Sequence, residues 1–318
     1  MANEESAADP PGPSAGGARP FRRFIGVNLG GGRGKTTAVA RLELESEGRV
    51  RVVEARVRQG HRGGGEDGKG GDALFRDEVL VDYIRDWLDD ETVVAINAPL
   101  TLPPCISCQL ACPGVSSCVV PSVVWMREHA PALLARRGRA DRSKPSVTPY
   151  TQRAVDVLYS HAQLQPRESL GQGMGPLAAR ATYLRRALAP DLRLHENLIE
   201  VHPPATLVRL CGAEFERRLR RGETARLWSQ RKETFARLDR WLRFDYVWPE
   251  VVVRSPHVFD AVISGFTAFL WALEGWGGPT DMLAEDSSQA VVAAISGLGL
   301  DWVEDGWIWA PPTPKTNV

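Results

Sequence analysis

Two groups of side chains in this sequence have types and spacings that can do chemistry. The first is a run of four cysteines, Cys105, Cys108, Cys112 and Cys118, spaced as Cys-x2-Cys-x3-Cys-x5-Cys. Soft thiolates this close together suit a tetrahedral Zn²⁺ or an iron–sulfur cluster, and no export signal opens the chain to favour disulfides instead. Zinc is the leading expectation, since sites built from four cysteines commonly hold it. An iron–sulfur cluster is the alternative, favoured by the Cys112-Pro113 pair. Unliganded thiols are the plain case. Cys211 stands apart and reads as a small core residue of a helix.

The second group consists of polar residues where a core should be apolar. In the helix expected over residues 256–274, His257, Asp260, Ser264 and Thr267 fall at i, i+3, i+7 and i+10 and so share one stripe. Around them lie Phe259, Val262, Ile263, Phe266 and Phe269. A buried carboxylate without a partner is costly, so Asp260 should be paired, bind metal or serve the dipole of the helix's first turn. Three further polar residues sit at expected strand ends: Asn28 after 24–27, Asn97 after 93–96, and Glu200 near the end of 194–201. In an open sheet with parallel neighbours such ends gather at one edge, where ligands bind.

The elements that must position these groups follow from periodicity. Residues 24–30, 35–44 and 49–57 read as three sequential strands, the last after a turn at Ser46-Glu47-Gly48. Over 73–88, Phe75, Val79, Tyr83 and Trp87 recur every four residues as one face of a helix. The continuous apolar run at 92–96 predicts a parallel strand buried on both faces. Helical periodicity resumes over 122–137, 151–162 and 176–188, then a strand over 194–201, two Arg-rich helices near 205–221 and 225–243, the apolar helix, and a closing strand at 306–309.

Three strands, a helix, a strand, further helices and strands and a late buried helix are the order of a ribonuclease-H-like α/β fold: a mixed sheet with flanking helices, here carrying a cysteine-rich insertion. Composition agrees with one globular unit, at 43% hydrophobic and 25% charged over 318 residues. The expected organisation is a disordered tail over 1–20, one domain over 21–311 with a Gly-rich loop at 58–72 and the Cys-rich insertion at 103–121, and a tail over 312–318. A cytoplasmic protein that does not enter a membrane is expected, since the N-terminus lacks signal-peptide character and the longest apolar run is short for a span. Lys plus Arg equals Asp plus Glu at 39 each, so nucleic-acid binding must rest on local patches.

Several segments together resemble a known family: Ile25-Gly26-Val27-Asn28-Leu29-Gly30, Ala95-Ile96-Asn97-Ala98-Pro99, Ile199-Glu200-Val201-His202-Pro203, His257-Val258-Phe259-Asp260-Ala261 and Gly306-Trp307-Ile308. Arg139-Ala140-Asp141 and Tyr150-Thr151-Gln152-Arg153 extend the likeness. The family is a bacterial and archaeal domain of unknown function regarded as a predicted nuclease with an RNase H fold. The resemblance implies phosphodiester hydrolysis by Mg²⁺ or Mn²⁺ held at the positions of Asn28, Asn97, Glu200 and Asp260, with Arg139, Arg142, Arg153, His202 and His257 toward the substrate. The family has Asp where this chain has Asn28 and Asn97. Each lost charge beside a cation is worth up to ~4 kcal/mol at an effective dielectric of about 20. A weakened or inactive metal-dependent nuclease is therefore expected. The alternative is a nucleic-acid-binding or regulatory protein that kept the fold.

Other signals carry less. Gly30-Gly31-Gly32-Arg33-Gly34-Lys35-Thr36 imitates a phosphate-binding loop, yet such a loop must open a helix and the next residues alternate like a strand. An actin-like ATP-dependent kinase is the third reading, and it needs a second glycine-turn hairpin that the sequence lacks. The Arg-rich residues 209–243 are interleaved with acids and read as solvated helix faces. Arg136, Arg137, Arg139, Arg142 and Lys144 have fewer countercharges and suit phosphate contact. Protein partners are not legible from the residues.

Overall fold

The computed structural model describes residues 17–31, 35–46, 48–59, 73–135, 147–164, 168–171, 173–284 and 286–312. Residues 1–16 and 313–318, most of the Gly-rich loop, and Arg136, Arg137, Arg139, Arg142 and Lys144 lie outside the described residues, whereas Arg19, expected in a disordered tail, donates to the carbonyls of Trp271 and Trp276. The strands are β1 (Arg23–Asn28), β2 (Ala38–Ser46), β3 (Arg49–Arg56), β4 (Arg58–Gln59), β5 (Ala73–Leu74), β6 (Thr92–Ile96), β7 (Leu198–Val201), β8 (Leu242–Arg243) and β9 (Ile308–Trp309). The helices are α1 (Asp77–Asp86), α2 (Pro104–Ser107), α3 (Pro121–Leu134), α4 (Ala154–His161), α5 (Gly175–Leu188), α6 (Pro203–Cys211), α7 (Ala213–Arg220), α8 (Thr224–Leu238), α9 (Pro249–Arg254), α10 (Pro256–Glu274), α11 (Pro279–Met282), α12 (Gln289–Leu298) and α13 (Asp301–Asp305).

Seven strands form one mixed sheet in the order β8-β3-β2-β1-β6-β7-β9. Strand β2 runs antiparallel to both β1 and β3, whereas β6, β7 and β9 continue parallel to β1. Alternation along the strands decides which helices each residue meets. Ile25, Val27, Val94, Ile96 and Leu198 face α1 and α5 through Leu80, Ile84, Ala181 and Leu184. Phe24, Val93, Ala95, Ile199 and Val201 face the opposite layer, where α10 lies against β1, β2, β3 and β6. The fold is thus helices on both faces of one sheet.

Helix α10 approaches β1 so closely that a Cβ on Gly26 would lie 2.0 Å from the Ala261 carbonyl oxygen and 2.3 Å from the Gly265 amide nitrogen. Only glycine fits at that crossing. With 19 residues and a mean hydropathy of 1.3, α10 is long and apolar enough to cross a membrane, but 78% of that stretch is buried inside the fold as its core helix.

Several elements differ in extent from the sequence reading. The strand expected over 194–201 is β7 from Leu198 only, because residues 195–197 turn, with His195 at φ 67°. The helix expected over 205–221 breaks into α6 and α7 at Gly212, whose φ of 89° no helix accommodates. Beyond α8 the chain adds the edge pair β8 beside β3. The closing β9 brings Trp309 against Trp271 and Trp302, at ring separations of 5.7 and 6.0 Å, beside the buried His195.

Candidate functional site

A cleft of about 770 Å³ opens at the carboxyl ends of β1, β6 and β7 and the amino end of α10. The ends of these parallel strands meet there because β1, β6 and β7 are neighbours in register: Val27 pairs with Ile96, and Ile96 with Glu200. Asn28, Asn97, Glu200, Asp260, Arg153, His202 and His257 all line it.

Register places Asn28 and Asn97 on the α10 face of the sheet, and they bond directly. Asn97 Nδ2 donates to Asn28 Oδ1 at 2.8 Å, and Asn28 Nδ2 donates to His257 Nδ1 at 3.1 Å. His257 accepts this bond as a neutral imidazole. Desolvation lowers its pKa, and the nearby cations Arg231 and Lys35 lower it further. Burial lowers the Arg231 guanidinium, and the charge of Asp260, which is partly buried one turn along α10, opposes that shift. The lower half of the polar stripe takes no part in the cleft. Ser264 and Thr267 donate to the carbonyls of Asp260 and Ile263, at 2.8 and 2.7 Å, as fully buried helix residues do.

Glu200 takes the other face. It shares the register position of Val27 and Ile96, alternates with Ile199 and Val201, and is 3% exposed. Arg153, 1% exposed, grips it at two points: Nη2 donates to Oε1 at 2.6 Å and Nη1 to Oε2 at 2.8 Å. The Leu100 N–H donates to Oε2 at 2.8 Å as well. Burial pushes the Glu200 carboxyl up, and Arg153 and the Leu100 amide oppose that shift. Arg153 also donates to Thr101 Oγ1 at 2.7 Å and reaches Asp156 at 3.3 Å. Its guanidinium is engaged inward with these groups.

His202 is half-buried at the N-cap of α6. Lys35 is exposed on the return from the β1 turn and lines the cleft with Thr36. Among the described residues the next element after β1 is strand β2, and no helix follows Lys35 and Thr36. Arg180 of α5 fixes the base of that turn by donating to the Gly30 carbonyl and Thr37 Oγ1, both at 2.7 Å.

Arg231 is the site residue that the sequence reading passed over, and Lys35 entered it only within the glycine run set aside as a phosphate-loop imitation. Arg231 is 7% exposed and donates to the Val253 carbonyl at 2.6 Å. Its signal was present: it falls on the apolar stripe of α8 with Phe235 and Leu238, at i+4 and i+7, where a cation is out of place.

Activation of water by two divalent cations needs several carboxylates around the ions. Here two positions are neutral amides bonded to each other, and both oxygens of Glu200 are held by Arg153. The donors present do not fit a pair of Mg²⁺ or Mn²⁺ ions. Among the described residues, no three His, Cys, Asp or Glu side chains are grouped tightly enough to ligate a metal. The arrangement instead offers amide and imidazole hydrogen bonds flanked by two cations, a set suited to an anionic oxygen.

The four cysteines lie on the segment that leaves this site after Thr101. Cys105 is in α2, Cys108 caps it, and Cys118 ends the short turn Val115–Ser117. All four are free thiols. Cys211 ends α6, where burial raises its thiol to about 11.

The family model described as Protein of unknown function (DUF429) matches residues 26–286. No curated protein and no solved structure matches the chain.

Proposed function

We propose a function from the premise that this chain belongs to the DUF429 family, whose model covers most of its length. It is a ribonuclease-H-like domain of nuclease type that binds a phosphodiester in the β1–β6–α10 cleft and hydrolyses it weakly or not at all. The sheet order supports the fold reading, since an antiparallel β3-β2-β1 meander followed by parallel β6 and β7 is the arrangement of that class. The single observation that carries the functional reading is the Asn97–Asn28–His257 chain of hydrogen bonds. It fills the place of two acidic ligands with uncharged groups.

Within the cleft, Lys35 and Arg231 supply the positive field that attracts a phosphate, and the amides of Asn28 and Asn97 donate to its oxygens. Neutral His257 accepts a bond at Nδ1, which leaves Nε2–H to donate. None of these groups is positioned here with the charge needed to ionise water.

The test is hydrolysis of fluorescent single- and double-stranded DNA and RNA with Mg²⁺ or Mn²⁺, by the chain as it stands and by Asn28→Asp plus Asn97→Asp. The expected result is binding without turnover in the first and metal-dependent cleavage in the second. Brisk cleavage by the unaltered chain overturns the reading, as does failure of either chain to bind any nucleic acid.

A further inference from the structure

We infer that Cys105, Cys108, Cys112 and Cys118 form a tetrathiolate site for one structural Zn²⁺, separate from the cleft. Across residues 105–119 the side chains that are not exposed belong to Cys105, Cys108 and Cys118. Large apolar side chains point outward instead: Ile106 at 48%, Leu110 at 63% and Val119 at 76% exposure. A segment of this length holds no shape through a core that it does not have, and short scaffolds without a core use a metal or cross-links. Cys105, Cys108 and Cys118 occupy the inward positions where such a staple belongs, and Cys112 lies exposed between them.

Several contacts steady the segment beside the sulfurs. The Leu110 N–H donates to Cys108 Sγ at 3.4 Å, an amide-to-sulfur bond that favours the thiolate. Arg127 of α3 reaches back to the carbonyls of Val115, Ser116 and Cys118, at 3.1, 3.2 and 3.0 Å, and places a cation beside a site that would carry net negative charge. The Cys105 N–H donates to the Pro149 carbonyl at 3.2 Å and ties the first ligand to the chain leading into Arg153. Four thiolates brought to one point repel, and a divalent soft cation removes that cost. No three of these sulfurs are grouped tightly enough to share an ion as the chain stands, so binding must draw the four together, and it releases four thiol protons, so affinity rises with pH.

The experiment uses the full chain purified under reducing conditions without added metal, with zinc and iron measured per chain. About one zinc per chain is expected. After the ion is displaced with a mercurial and the mercurial is removed, Co²⁺ should restore a folded chain with thiolate-to-cobalt charge transfer and the visible bands of tetrahedral cobalt. Cys105→Ser and Cys118→Ser should lose the ion, and Cys211→Ser should keep it. Three outcomes overturn the inference: native thiols that all react with Ellman's reagent while Co²⁺ stays spectroscopically silent; an intact mass short by four hydrogens, which marks two disulfides; or brown protein with iron and sulfide. The cobalt spectrum of the unaltered chain decides the matter even if the serine variants fail to fold.

Discussion

The guanidinium of Arg153 and the carboxylate of Glu200 meet in a two-point ion pair, at 2.6 and 2.8 Å, with both residues almost wholly buried. Removing one partner of such a pair leaves an uncompensated charge in a poor solvent, which costs about 3–5 kcal/mol. Arg153→Met should therefore destabilise the fold by that order in urea titration. Adding Glu200→Gln should recover part of the loss, because the stranded charge is gone. A double-variant loss equal to the sum of the Arg153→Met and Glu200→Gln losses would show that the pair is not coupled.

The α10–β1 crossing predicts an asymmetry between two glycines. A Cβ on Gly26 meets backbone, at 2.0 Å from the Ala261 oxygen, whereas one on Gly265 first meets Leu42 Cδ1 at 2.8 Å, the end of a side chain that can turn. Overpacking a core typically costs about 1–3 kcal/mol. Gly265→Ala should fall in that range, and Gly26→Ala should exceed it or fail to fold. Thermal melts of the two variants, run together, check the order.

Stability should depend on pH through two buried groups of opposite sign. Burial beside Trp302 and Trp309 lowers the His195 imidazole to about 4. The unfolded value is higher, so the stability His195 contributes is complete above pH ~6.5 and is lost as pH falls toward its folded value, by about 3 kcal/mol in all. Burial raises Asp305 to about 6, so its native-state penalty eases over the lower part of the same window. His195→Gln should flatten the acid loss of Tm between pH ~6.5 and ~4, and Asp305→Asn should steepen it. Profiles parallel to the unaltered chain would discount both assignments.

Lys35 is exposed at the cleft mouth, and no ion pair to it forms among the described residues. If phosphate is the ligand, Lys35→Ala should weaken nucleic-acid binding several-fold at low salt and reduce the salt slope by about one, with Tm unchanged. Fluorescence anisotropy across a salt series measures both. Affinity and slope equal to the unaltered chain would remove Lys35 from the ligand's path.

Much of the fold was legible because its strongest elements follow one period each. Strand β6 reads as five consecutive buried residues and α10 as a long apolar helix, and both appear where periodicity puts them. The ends were less legible, since Leu194 continues the apolar run but a left-handed His195 bends the chain out of the sheet. At the cleft, strand ends located Asn28, Asn97 and Glu200, yet spacing alone does not say which face a strand-end residue takes. The Arg153–Glu200 contact spans 47 residues, so no local pattern announces it. Arg231 shares α8 with the cations Arg226, Lys232 and Arg237, so the one that falls on the apolar stripe is easily taken for another solvated charge.

The indoles at the closing edge have an optical consequence. Trp309 arrives on a strand of two residues and completes a set with Trp271, Trp302 and Trp307, in which the contacting rings lie 5.7–6.0 Å apart at steep angles. Chromophores that near and that fixed in orientation couple their excited states. The last element to pair with the sheet thus carries its own signal, and near-ultraviolet circular dichroism can follow its docking without any label.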